Sequence, residues 1–219
     1  MLQIKSIEDK GIWEKFIEKH SPQSLFQSWN WGETVKKVQS SLRSNSWQAK
    51  FKVQSLWRWG LYDGDELVGI AQLHKVEAHK GTFLHIRHGP ILSAWTDKYF
   101  SFLFKELKTL AGREKAIYIR ISPKLENNTS NNNLLSNFRF RDSAIHRLDG
   151  EVCWMLDLDK SDEELLAEMR KSTRYLIKSA KKAGIVIKKT QKREELEEFF
   201  TLYKMTVQRQ HFTGHKGIS

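Results

Sequence analysis

The chain has 219 residues, 37 Lys+Arg against 26 Asp+Glu, a net charge of +11 and a pI near 9.6. That length suits one large domain, or one domain and part of another, and the charge favours anionic partners: nucleic acid, nucleotide phosphates or an acidic membrane surface. A single cysteine, Cys153, excludes an intrachain disulfide and any multi-cysteine metal site. No run approaches the length of a membrane span, and Met1-Leu2-Gln3-Ile4-Lys5 lacks the apolar segment of a signal peptide. The expectation is a soluble, cytoplasmic protein able to touch the inner membrane face peripherally.

Leu2–Ile7 reads as a strand and Asp9–Lys19 as a helix burying Trp13, Phe16 and Ile17. His20-Ser21-Pro22-Gln23 is a break, and Leu25-Phe26-Gln27 a short apolar run. Trp29-Asn30-Trp31-Gly32-Glu33 then leads into a second helix carrying Lys36 and Lys37. Lys37-Val38-Gln39-Ser40 recurs as Lys52-Val53-Gln54-Ser55, a repeat to which no function attaches. Two long strands, Leu56–Tyr62 and Glu66–Val76, are joined through Asp63-Gly64-Asp65, a strong hairpin signal. Thr82–Arg87 continues the sheet and stops at Gly89-Pro90. Thr96–Leu110 is an amphipathic helix, and Ala116–Ile121 alternates as a strand. Asn127–Asn133 reads as a polar loop, Leu134–Phe138 as a short helix, and Arg139–Ala144 as the strand it feeds. Val152–Leu158 is a further strand, with Cys153 expected as a buried thiol.

The segment from Ser161 to Arg193 carries the densest information. Ser161 and Glu164 form a capping box that marks a helix start. From Arg170 to Arg193 every charged residue is basic: Arg170, Lys171, Arg174, Lys178, Lys181, Lys182, Lys188, Lys189, Lys192 and Arg193. On one continuous helix, Leu165, Leu166, Met169, Leu176, Ile177 and Ala180 would share an arc of about 120°, with the cations from Arg170 to Lys182 on the neighbouring arc. Such a helix enters a core on one side and presents a cation row to phosphates on the other. A solvated basic face is the plainer reading, and acids at the start with cations at the end also complement the helix dipole. Gly184 suits the left-handed position after the helix, Ile185-Val186-Ile187 a short strand, and Arg193–Gln210 a final helix. Strands and helices interleave, so the class is mixed α/β. A new series beginning near residues 146–151 divides the chain into a first domain, 1–150, and a second, 151–219.

His211 and His215 have i,i+4 spacing, but Gly214 lies between them and no Glu follows His211, so no zinc motif forms. His85 and His88 flank a strand end without a neighbouring carboxylate. Scattered hydrogen-bonding histidines, and no metal, are expected. No Gly-x-Ser-x-Gly or Walker sequence occurs. Trp29, Trp31, Trp57 and Trp59 suit core or pocket-wall packing better than base stacking.

The order of motifs adds to this. S-L-F-Q-S-W-N-W-G-E with Lys36 following resembles the first-domain signature of the Fem family (FemA, FemB and FemX-like), aminoacyltransferases that build peptidoglycan interpeptide bridges. G-L-Y-D-G-D-E-L-V-G-I-A-Q and then H-I-R-H-G-P-I-L look like that family's hairpin and strand end. The segment from Leu156 through Ile187 resembles its second-domain opening, and Phe199–His215 a helix with spaced Tyr, Thr, Arg, Phe and His. The resemblance runs collinearly along nearly the whole chain. It implies a pair of acetyltransferase-like (GNAT-type) domains, here one complete and the second begun, with mixed sheets flanked by helices. It also implies transfer of an amino acid from aminoacyl-tRNA, as co-substrate and without a cofactor, to the stem-peptide amine of a UDP-linked or lipid-linked muropeptide. The family's acceptor-phosphate residues match Lys36, with Lys37 as the neighbouring candidate, and Arg174, with Tyr175 beside it. Lys171, Lys178, Lys181 and Arg209 are further candidate contacts for anions or tRNA.

A free amine attacking an activated ester requires no enzyme nucleophile, so no catalytic residue is named. The family's second domain continues past the position of Ser219, and a truncated product, inactive alone, is the expectation. Two other readings stand beside this one. A GNAT acetyltransferase using acetyl-CoA would need a Gly-rich pyrophosphate loop, which the sequence lacks. A basic RNA-binding module would keep the electrostatics without the chemistry.

Overall fold

The computed structural model describes residues 1–41, 52–78, 81–143, 155–190 and 192–212. They fall into two units, Met1–Cys153 and Trp154–Ser219. Residues 42–51 between the two copies of the repeat, Cys153 and His215 lie outside the described residues.

The first unit is built on one sheet. β1 (Leu2–Ser6), β2 (Lys52–Asp63), β3 (Glu66–Ala78), β4 (Gly81–Arg87) and β6 (Tyr118–Ser122) lie in that order, and the two-residue β5 (Ile91–Leu92) also pairs with β3. The β2–β3 hairpin turns at Gly64, whose φ of 61° is left-handed. β4 and β6 are parallel, joined by α3 (Asp97–Arg113). Thr96 caps α3 by accepting from the Tyr99 amide.

Alternation along the strands sorts the two faces. Leu61, Ala71, Leu73, Leu84 and Ile86 form a buried core with Phe100, Leu103, Leu107 and Leu110 of α3. On the other face Ile70 and Ile91 pack with Trp13, Phe16 and Ile17 of α1 (Lys10–His20), which Asp9 caps. α2 (Trp29–Ser41) covers the same face farther along β2 and β3. There the inward-facing residues become polar.

Asn127–Asn133 is not a loop. Asn128 accepts from the Asn131 amide at 2.9 Å and starts α4 (Thr129–Asn137), so the Asn-rich run supplies the first turns of a helix. Arg139–Ser143 does not form the expected strand. Arg139 takes φ 63°, which ends extended geometry, and Phe138 and Phe140 instead pack on Phe100 and Phe104.

In the second unit the expected single basic helix is two: α5 (Asp162–Glu168) and α6 (Lys171–Lys182), followed by α7 (Arg193–Gln210). Met169 and Arg170 between them are extended, with ψ 152° and 145°. The apolar stripe drawn along one helix is therefore interrupted, and Leu176 is 64% exposed. The Arg174 guanidinium donates to the Ala167 carbonyl, satisfying one of the acceptors that the end of α5 leaves open. Neither Ile185–Ile187 nor Met155–Leu158 is a strand. The described residues of this unit offer no strand to pair with, and a lone strand leaves its amides and carbonyls unmatched.

Candidate functional site

β3 changes partner along one edge. It pairs with β4 from His74 to Ala78 and with β5 at Gly69 and Ile70, so the residues between have no strand on that side. Gln27, fully buried at the end of a short 3-10 turn (Leu25–Gln27), fills the gap. Its Oε1 accepts from the Gln72 amide at 2.7 Å, and its Nε2 donates to the carbonyls of Gln72 at 3.3 Å and Arg87 at 2.7 Å. A side-chain amide thus replaces a missing strand. Gly89 permits it, since a β-carbon there would lie 2.6 Å from Gln27 Cδ.

Gln72 returns the arrangement. Its Nε2 donates to the carbonyls of Phe26 and Ser28, and its Oε1 accepts from Arg58 Nε at 3.1 Å. Arg58 is 7% exposed and lies over the Trp29 ring at 3.6 Å. Its Nη2 reaches the Trp29 carbonyl and Glu33 Oε1, the latter at 2.8 Å. Glu33 also accepts from Lys36 Nζ at 3.1 Å, and these bonds from Arg58 and then Lys36 hold its carboxyl below the usual carboxylate range. Trp29 donates its amide to Glu14 at 2.7 Å, which seats the start of α2 on α1. Gly32 completes the fit: a β-carbon there would meet Gln72 Oε1 at 2.3 Å and Arg58 Nη2 at 2.6 Å. A chain of polar contacts, buried as far as Arg58, therefore runs from the sheet through partly exposed Glu33 to Lys36, which is half-exposed one turn beyond.

Next to this chain lie three histidines. His74 and His85 face each other across β3 and β4, and His88 packs on Phe26 at 4.3 Å. The Arg87 guanidinium also stacks on Phe26, 3.6 Å from its centroid. His74 is 3% exposed, and neither ring nitrogen has a hydrogen-bond partner, so the expectation of hydrogen-bonding histidines fails there. Burial, and then the charges of His85, Arg87 and Arg58, push His74 down to about 3, so it is neutral at physiological pH. Among the described residues no His, Cys, Asp or Glu group has metal-holding geometry. Trp57 and Trp59 pack half-buried on the main core and Trp29 on the smaller one, as walls rather than stacking platforms.

The other candidates lie in the second unit. Lys171, Arg174, Tyr175, Lys178 and Lys181 all belong to α6, where the four cations recur at three- and four-residue spacing and so share a face. Tyr175 is 69% exposed. Arg209 lies in the last turn of α7. Lys36 and Lys37 are thus brought together on α2 and the remaining candidates on α6 and α7. Sequence reasoning missed Gln27, Gln72 and Arg58. The available signal was two glutamines and an arginine at inward-facing or apolar-run positions.

Fold and site together define a two-unit mixed α/β protein that displays lysine and arginine on two separately built helices. The FemAB family model matches residues 10–149 and 148–217, and the chain belongs to the FemAB family. It is 25% identical over 209 residues to the lipid II:glycine glycyltransferase of Staphylococcus aureus, a match covering 91% of this chain and 46% of the relative. The crystal structure of FemX superposes with a TM-score of 0.70 at 23% identity, over 97% of this chain and 52% of that one. The chain spans about half the length of the relatives it matches.

Proposed function

We propose that this chain acts in aminoacyl transfer to a muropeptide in peptidoglycan bridge formation, taking the amino acid from aminoacyl-tRNA. Family membership across both units carries the proposal. The S. aureus relative is a lipid II:glycine glycyltransferase, which favours a lipid-linked acceptor over a UDP-linked one.

The chemistry suits the residues present. An acceptor amine attacking an aminoacyl ester needs neither a protein nucleophile nor a metal; it needs both reactants held and the tetrahedral oxyanion stabilised. In this reading Lys36 and Arg174 bind the acceptor's phosphates, with Lys37 and Tyr175 beside them. The Glu33–Arg58 chain supports Lys36 by fixing where α2 stands on the sheet. Lys171, Lys178, Lys181 and Arg209 offer cations to the tRNA. No residue is assigned to proton transfer. The reaction proceeds on the cytoplasmic side of the membrane, and no helix among the described residues is long and apolar enough to cross it.

The test is incubation of the protein with radiolabelled aminoacyl-tRNA and, separately, lipid-linked and UDP-linked muropeptide. The expected result is label in the stem peptide, stable to mild base that hydrolyses the ester donor. Binding of RNA with no transfer to either acceptor would replace the reading with that of an RNA-binding module.

A further inference from the structure

On the α3–α4 side of the first unit lies an open cavity of about 660 Å³. Phe104 and Phe138 wall it, half-buried and edge to face with centroids 5.5 Å apart. Lys105, Lys108 and Arg139 line it with exposed side chains, and no carboxylate does. Lys108 Nζ sits 5.5 Å from the Phe104 centroid, and none of the three cations has an ion pair among the described residues. Elsewhere in this unit Lys36 pairs with Glu33, Lys75 with Glu114 and Lys98 with Asp63, whereas Lys15 and Lys19 on α1 are, like the three here, without a carboxylate partner among the described residues. Three unmatched cations around one hollow repel one another, and an anion in the hollow relieves that repulsion.

We propose that this cavity binds single-stranded RNA, with a base against Phe104 and Phe138 and the flanking phosphates on Lys105, Lys108 and Arg139. Aromatic faces interleaved with unpaired cations are how single strands are held without sequence readout. The exposure pattern favours RNA over a lipid surface, since binding at a bilayer uses an apolar face that protrudes into it; here the rings are half-buried while the three cations are exposed. The site lies on the opposite face of the sheet from α2, because α3 packs on Leu73 and Leu84 while α2 stands on Arg58 and Gln72. It rests on no part of the transfer reading.

The test is fluorescence anisotropy of a labelled single-stranded octaribonucleotide across a salt series, with the protein, Phe104→Leu, the pair Lys105→Gln/Lys108→Gln and, as a charge-matched control, Lys15→Gln/Lys19→Gln on α1. The pocket pair should weaken binding at least tenfold and reduce the slope of log K against log salt by about 1.4, at about 0.7 for each phosphate no longer neutralised. Phe104→Leu should weaken binding about fivefold or more with the slope unchanged. Should Phe104→Leu fail to fold by thermal melt, the exposed lysine pair decides alone. Equal weakening by the pocket and control pairs would overturn the proposal. So would unchanged RNA affinity in the pocket pair, including the case where that pair instead abolishes binding to phosphatidylglycerol vesicles.

Discussion

Gln27 and Gln72 each use a side-chain amide to satisfy the other's neighbourhood of main chain, across 45 residues of sequence. Removing one leaves several buried groups unmatched at once. Gln27→Leu should therefore cost about 2–4 kcal/mol in urea denaturation, well beyond the usual worth of one hydrogen bond. Arg58→Met leaves the buried Gln72 Oε1 without its donor and takes one bond each from the Trp29 carbonyl and from Glu33, which keeps Lys36, and a loss of about 1–3 kcal/mol is expected by the same measurement. His74 makes the fold sensitive to acid. Its folded value of about 3 lies below the ordinary 6.5, so the unfolded chain binds the extra proton, and stability falls as pH drops from 6.5 towards 3. The difference between the protein and His74→Gln should approach a slope of about 1.4 kcal/mol per pH unit in that window and vanish above it; parallel stability curves would refute a neutral His74. None of these residues stood out in the sequence. Gln27 ends an apolar run and Arg58 sits between two tryptophans, and what makes each decisive lies tens of residues away.

Elements were more legible than their ends. The hairpin, α1, α3 and α7 follow from periodicity and from Asp63-Gly64-Asp65, because each is a long pattern with one solvent face. Failures came where local pattern lacked a partner. Ile185-Val186-Ile187 has strand composition but nothing to pair with among the described residues, and the Ser161 helix breaks at Met169 although its residues keep helical spacing. The repeated tetrapeptide shows the same override: Lys37–Ser40 lies in α2, whereas Lys52–Ser55 lies in β2 at a register shift. Two substitutions test elements directly. Gly32→Ala improves helix propensity by about 1 kcal/mol, yet it pushes on side-chain ends held by the buried network. A net destabilisation of about 1–3 kcal/mol by thermal or urea melt is expected. Arg174→Ala removes the tie from α6 to the end of α5, so amide exchange in Asp162–Glu168 should quicken while that of α3 is unchanged.

At the scale of the molecule, collinear motifs made the family readable before any geometry. The FemAB match over both units bears that out, while the means by which the first unit holds α2 in place became visible only in three dimensions. The proposed function requires that Lys36 and Arg174 each contact the acceptor's phosphates. The most direct measurement is calorimetric titration of a soluble, short-chain lipid-linked muropeptide into the protein, Lys36→Ala, Arg174→Ala and the exposed control Lys15→Ala. The prediction is that each of the first two variants weakens binding by about 1.5–3 kcal/mol, the worth of a charge-assisted phosphate contact, while the control binds like the parent. Parental affinity in both Lys36→Ala and Arg174→Ala would contradict it.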